Sequence, residues 1–381
     1  MKRMYWRPAG VSRKALLLVA LVALAALAVV ESFPVVAKQS RYADKLAAAR
    51  LAQRGMEAIK AEKIRLGHRV DPKADPAETG LIGESITPVT SNTGFLDAKR
   101  TGTDPNFAAV ILHLLDEAQV KKGDLVAVAV SGSFPGLNLA TYAALTVIEA
   151  DAIILASASS SEWGANHVDY LWVDMERTLR EQKITPFKTA AATYGGIDDI
   201  GIGLTEEGRS LIDAALERNG IRHLRPESLA ASIDRRAKTY EELAGDRPIK
   251  AYVNVGGGSA SVGTHVGKKQ FRAGLNTSPP SAGIVPDSVM LRFAERDIPV
   301  IHISRVKILA ERYGLPYGST EPAPIGRGRV FVATQYNKAL TFGSLLVVLA
   351  VMVAFLRFDV GSRVLSSKRA PPESQPPERM V

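Results

Sequence analysis

Four short segments carry the side chains from which chemistry could be built. Ser131-Gly132-Ser133-Phe134-Pro135-Gly136 leads toward Asn138, and Ser159, Ser160 and Ser161 precede Glu162, Trp163 and Asn166. Gly195-Gly196 precede Ile197-Asp198-Asp199, and Gly256-Gly257-Gly258 precede Ser259-Ala260-Ser261. Each follows an apolar run of strand length. Backbone amides of glycine-rich turns that open helices hold an anion such as a carboxylate or phosphate. A serine hydroxyl served by a neighbouring histidine attacks an ester or amide carbonyl instead. Glycine and serine also suit tight strand-to-helix turns on conformational grounds alone, so it is the coincidence of four such loops that marks a binding rim. The expected ligand-binding set is Ser131, Gly132, Ser133, Asn138, Ser160, Ser161, Glu162, Asn166, Gly256, Gly257, Gly258 and Ser259. Ser131 and Ser133 are the candidate nucleophiles, if His167 or His265 approaches them.

Motif spacing narrows the choice. GGGSASVG at 256–263 lacks the Lys-Ser/Thr of a phosphate-binding P-loop and comes late for a dinucleotide fingerprint. In SGSFPG, Gly132 directly precedes Ser133, so the G-x-S-x-G elbow is absent. Neither HxxxH nor HExxH occurs. Asp198, Asp199 and Glu162 are oxygen donors, but adjacent acids in a glycine-rich loop read as solvated. With no cysteine in 381 residues, thiolate metal sites, disulfides and a Cys nucleophile are excluded. No metal and no cofactor are expected.

The elements that must position these loops alternate between strand and helix. Helices are expected over NFAAVILHLLDEAQV, LATYAALTVIEA, 168–182, 205–219 and 226–244, from Asp287-Ser288, and up to Gly314. Strands are expected over 124–130, 152–158, 187–194, 248–255 and 299–304. Continuous apolar strands separated by helices predict an α/β domain over 80–330: three layers, Rossmann-like, with a mostly parallel sheet. In such a sheet the ligand crevice lies beyond the carboxyl ends of the strands, where the four loops fall. Residues 39–67, rich in Ala, Leu, Lys, Arg and Glu and free of proline, predict a helical stalk, and DPKADPAETG at 71–80 a linker.

Two apolar runs flank this domain. Ala15 to Val30 carries no charge and covers about 24 Å as a helix, extending toward Phe33. Ala339 to Leu356 supplies a second run between Lys338 and Arg357. Residues 1–30 hold five basic and no acidic residues, and residues 339–381 hold five basic and three acidic, so the net charge of +9 sits mostly in the tails. Transmembrane helices at 15–33 and 339–356 are therefore expected, with a basic N-tail (1–14) and a Pro-rich tail (357–381) in the cytoplasm and the central domain outside the inner membrane. Val35-Val36-Ala37 also offers a signal-peptidase site, which leaves the domain outside in either case. The remaining charge on residues 31–338 is only +2, which gives no reason to expect a nucleic acid as partner.

GLIGESITPVTSNTGFLDAKRTGTDPNFAAVILHLLDEA at 80–118, KKGDLVAVAVSGSFPGLNLATYAAL at 121–145, SSSEWGAN at 159–166 and YVNVGGGSASVG at 252–263 together resemble the poly-γ-glutamate system protein family. The resemblance covers about 80–340 and includes the two-span layout. It implies a role in capsule or released polymer biosynthesis alongside the other subunits of the poly-γ-glutamate synthesis and export complex, and it carries no catalytic residues. The expectation is a membrane-anchored accessory component whose outer domain binds a partner or an anionic ligand. The alternatives are an extracytoplasmic hydrolase or transferase acting on an amide or ester through Ser131 or Ser133, and a solute-sensing domain.

Overall fold

The computed structural model describes residues 13–263, 265–281, 283 and 285–357. The basic tail before residue 13 and the Pro-rich tail after 357 lie outside the described residues. The chain divides into two compact units, Lys38–Val332 and the combination of Met1–Ala37 with Ala333–Val381.

The larger unit is built on a seven-stranded sheet. Its strands are β1 (Leu125–Ser131), β2 (Asp151–Ser157), β3 (Ala191–Thr193), β4 (Arg222–His223), β5 (Ile249–Val255), β6 (Gly274–Asn276) and β7 (Val300–Ile303), in the order β6-β7-β5-β1-β2-β3-β4. Every neighbouring pair is parallel except β6 with β7. The period of two along β1 sorts its side chains onto two faces. Val126, Val128 and Val130 enter one buried cluster, and Leu125, Ala127 and Ala129 enter the other. Both faces of a parallel sheet are covered, so its central strands are apolar throughout.

Helices α1 (Tyr42–Arg65), α2 (Leu96–Gly102), α3 (Phe107–Glu117), α4 (Pro135–Ile148), α5 (Trp172–Glu181), α6 (Glu206–Arg218) and α7 (Leu229–Ala244) occur in the same unit. The first face is covered by α1, α3, α4, α5, α6 and the helix Val306–Tyr313. The second carries α7, the single turn Ser259–Val262 and the helix Val289–Ala294. The three-layer α/β expectation holds, and strand order locates its crevice. From β1 the chain winds outward through β2, β3 and β4, whereas β5 pairs on the opposite side of β1. The helix after β1 goes to the first face and the turn after β5 to the second. Their connecting loops part at this switch point, which is where an open α/β sheet leaves room for a ligand.

The stalk is corrected. Residues 42–65 are helical, but Ala48, Ala49, Ala52, Met56 and Ile59 are buried in the first core, where α1 packs on α3 and α4. The alanines permit close approach, and a Cβ built at Gly55 would lie 2.6 Å from Leu139 Cδ1. The domain thus begins near Lys38 rather than at 80. Its two ends meet, with Gln39 N–H donating to the Phe331 carbonyl at 2.8 Å. The 71–80 stretch, expected as a linker, forms neither helix nor strand and lies inside the larger unit. It is nonetheless pinned, because the buried Asp75 carboxylate accepts hydrogen bonds from Thr79 N, Thr79 Oγ1 and Gly80 N.

In the smaller unit the helices Arg13–Ser32 and Lys338–Arg357 pack on one another, and Tyr336 OH donates to Glu31 Oε1 at 2.8 Å. Among the described residues one helix, over Lys338–Phe355, is long and apolar enough to cross a membrane. The apolar stretch Leu16–Ser32 is shorter than that length, so of the two expected spans, 15–33 and 339–356, the described residues supply one candidate.

Candidate functional site

A cavity of about 320 Å³ opens at the carboxyl ends of the strands. Ser131 and Ser133 reach it from β1, Ser157, Ser159 and Ser161 from β2, Gly196 and Ile197 from β3, and Gly257, Gly258 and Ser259 from β5. Ser91–Phe95, Ala98 and Lys99 close the remaining wall. Of the expected set, the fold brings together Ser131, Ser133, Ser161, Gly257, Gly258 and Ser259.

The other six do not line the cavity, and most have structural partners. Asn138 is fully buried at the start of α4, where its Nδ2 donates to the Ser131 carbonyl at 2.8 Å and fixes the end of β1. Ser160 is also buried, and its Oγ donates to Gly132 O and Ser161 O. Asn166 clamps the 84–90 loop by donating to Glu84 O and Thr90 Oγ1 and accepting from Glu84 N. Glu162 Oε2 accepts from Gly94 N at 2.9 Å. Gly132 is a spacer, since a Cβ there would lie 2.8 Å from Ser159 O. Gly256 turns the chain out of β5 at φ +93. Small hydroxyl and amide groups satisfy turns as readily as ligands, and a sequence does not show which way they face.

The histidine partner of a serine nucleophile is corrected too. His167 is buried against His68, with ring centres 4.3 Å apart, and lines a different cavity with Lys63 and Glu84. Burial, with Lys63 and His68 nearby, depresses its pKa to about 3, so it is neutral even though Glu84 Oε1 lies 3.2 Å away. The side chain of His265 lies outside the described residues. Ser131 Oγ accepts from Ser133 N, and Ser133 Oγ accepts from Ser161 N.

The titratable group in the wall is Lys99, on α2. It is only 3% exposed. Its Nζ donates to the Ser133 carbonyl and, at 2.7 Å, to Ser161 Oγ, and it sits 4.3 Å from the centre of the Phe134 ring. Among the described residues no carboxylate is within ion-pair distance of it. Loss of hydration lowers its pKa to about 7, against the weaker opposing field of Glu162. Sequence reasoning missed this residue, because in GFLDAKRTG it reads as one of two adjacent cations on a surface.

Beneath the cavity, Asp199 is corrected from a solvated acid to a buried one. Its carboxylate meets Arg236 Nε at 2.7 Å and accepts from Ser157 Oγ, Thr193 Oγ1 and Ser232 Oγ. Arg236 also donates to Ser157 Oγ at 2.9 Å, so one ion pair fixes the hydroxyl on the cavity floor. A more apolar cavity of about 200 Å³, bounded by Met56, Pro105, Pro316 and Pro322, contains none of the strand-end residues. Among the described residues no group of three or more His, Cys, Asp or Glu could hold a metal ion.

No family model matches the chain, and no curated protein matches it. A solved archaeal alanine:glyoxylate aminotransferase aligns over 91% of this chain and 61% of its own length, at 11% identity and a TM-score of 0.16. At that score the likeness carries no argument.

Proposed function

We propose that the protein is a membrane-anchored component of poly-γ-glutamate synthesis and export whose extracytoplasmic α/β domain binds carboxylate-bearing chain in the strand-end cavity. Lys99 carries this reading. A cation taken out of water is costly unless an anion meets it, and this one stands in the wall of an open cavity without a carboxylate partner among the described residues. A ligand carboxylate would supply the missing charge, and the serine hydroxyls around it would donate to the remaining lone pairs.

The process rests on the resemblance of the four segments quoted above. The two-pass arrangement, with both ends in the cytoplasm, rests on the apolar runs and their flanking basic residues. Of the two runs, the helix Lys338–Phe355 has the length and apolar character of a span.

The test is calorimetric titration of the full-length protein in micelles with a γ-linked glutamate oligomer and with the matching neutral glutamine oligomer. The glutamate oligomer should bind, the neutral one should not, and Lys99→Met should weaken binding at least tenfold. Equal binding of both oligomers would remove the anion-binding reading.

A further inference from the structure

We propose that Lys99 and Ser161 form a serine–lysine acyl-transfer pair, with Ser161 Oγ as nucleophile and Lys99 Nζ as general base, acting on an amide bond of the bound chain. The substrate class rests on the preceding reading of the cavity, whereas the pair rests on its own geometry.

Nucleophile and base are 2.7 Å apart, within the reach that proton transfer needs, and both line the cavity. Each is held by a second contact. Ser133 Oγ accepts the Ser161 backbone N–H at 3.0 Å, and the Ser133 carbonyl with the Phe134 ring fixes the Lys99 head. Ser133, one of the two hydroxyls that the sequence offers as nucleophiles, is thus a positioning residue for Ser161. A lysine acts as a base only in its neutral form, and burial without an ion-pair partner favours that form near neutral pH. Gly257 and Gly258 line the same cavity, and no hydrogen bond is donated by their backbone N–H groups within the described residues, which leaves those groups available to a developing oxyanion.

The step balances without a co-reactant other than water. Lys99 takes the Ser161 proton as Oγ bonds to the amide carbonyl carbon. The C–N bond then breaks, and Lys99 passes that proton to the departing amine, leaving an ester on Ser161. Water, losing its proton to Lys99, or a second amine releases the acyl group and returns the proton to Ser161 Oγ. In a γ-glutamyl chain, amides alternate with carboxylates. A chain seated with its carboxylate on Lys99 keeps the lysine charged and is bound but unreactive, whereas the register with the amide at Ser161 is the productive one.

The test uses full-length protein in micelles with an alkyl fluorophosphonate, read by intact mass and peptide mapping, alongside the γ-linked glutamate oligomer, read by binding and by released amine. One adduct is expected, on Ser161, absent in Ser161→Ala. Lys99→Arg keeps the charge but is no base at neutral pH, and should slow labelling and amine release by about 10²–10⁴-fold while oligomer binding persists. Ser210→Ala, an exposed serine on α6, should label like wild type. No adduct on Ser161, or labelling unchanged in Lys99→Arg, overturns the pair, and retained Lys99-dependent oligomer binding would then leave the binding reading standing. Labelling of Ser161 without oligomer binding or cleavage supports the pair and overturns the substrate class.

Discussion

Arg236 and Asp199 meet at 2.7 Å where neither is more than 2% exposed, and together they hold Ser157 Oγ at the floor of the serine cavity. The pair takes one partner from the loop after β3 and the other from α7, so it ties the second face of the sheet to the strand-end rim.

Removing one charge from such a pair leaves the other buried and unmatched. Arg236→Met should destabilise the domain by about 3–5 kcal/mol, and Arg236→Met with Asp199→Asn by less than the sum of the single changes. Urea unfolding in micelles followed by tryptophan fluorescence measures both.

Lys99 gives a pH dependence of defined sign. Its folded pKa, about 7, lies below the ordinary value of 10.5, so between these limits the unfolded chain binds more protons and stability rises with pH. Below about pH 7 the cost of burying the charge is fully present. Lys99→Met should therefore raise the melting temperature more at pH 6 than at pH 9, and an equal gain at both would contradict a buried cation.

Gly164 is the contact point of two site loops. A Cβ there would lie 2.2 Å from Ser160 Oγ and 2.6 Å from Gly132 O, so Gly164→Ala must push the 159–166 loop off the 131–134 loop. We expect about 1–3 kcal/mol of destabilisation and loss of oligomer binding, measured by urea melts and calorimetry.

Topology is tested by reporter fusions. A reporter active only outside the cytoplasm should work when joined after Gly245, and one active only in the cytoplasm should work after Gln375. The reverse pattern would place the α/β domain on the cytoplasmic side and remove the export reading.

Long, strongly patterned elements were legible in the sequence. β1, β2 and β5 read directly from apolar runs, and α3, α6 and α7 fell within a few residues of their expected bounds. The antiparallel edge strand β6 and the two-residue β4 carry too few residues to show a period. The role of α1 was misread because its alanine-rich face is weakly apolar, and only contact with α3 and α4 shows it to be interior. Within the site, strand ends pointed to the right loops, but not to which residues face inward. Lys99 was invisible for a different reason: it comes from α2, outside the strand-loop pattern, and its chemistry arises from burial that no spacing encodes.

The meeting of Gln39 with Phe331 bears on how the α/β domain can be prepared for study. Because the unit opens and closes at one place, cutting after residues 37 and 332 removes the apolar helices without opening the fold, and the joined ends would suit circular permutation. Starting instead at residue 80, where the sequence motifs begin, discards α1 and bares the faces of α3 and α4 that it covers. Such a fragment should precipitate or pair with itself, and its failure would say nothing about the chemistry of the cavity.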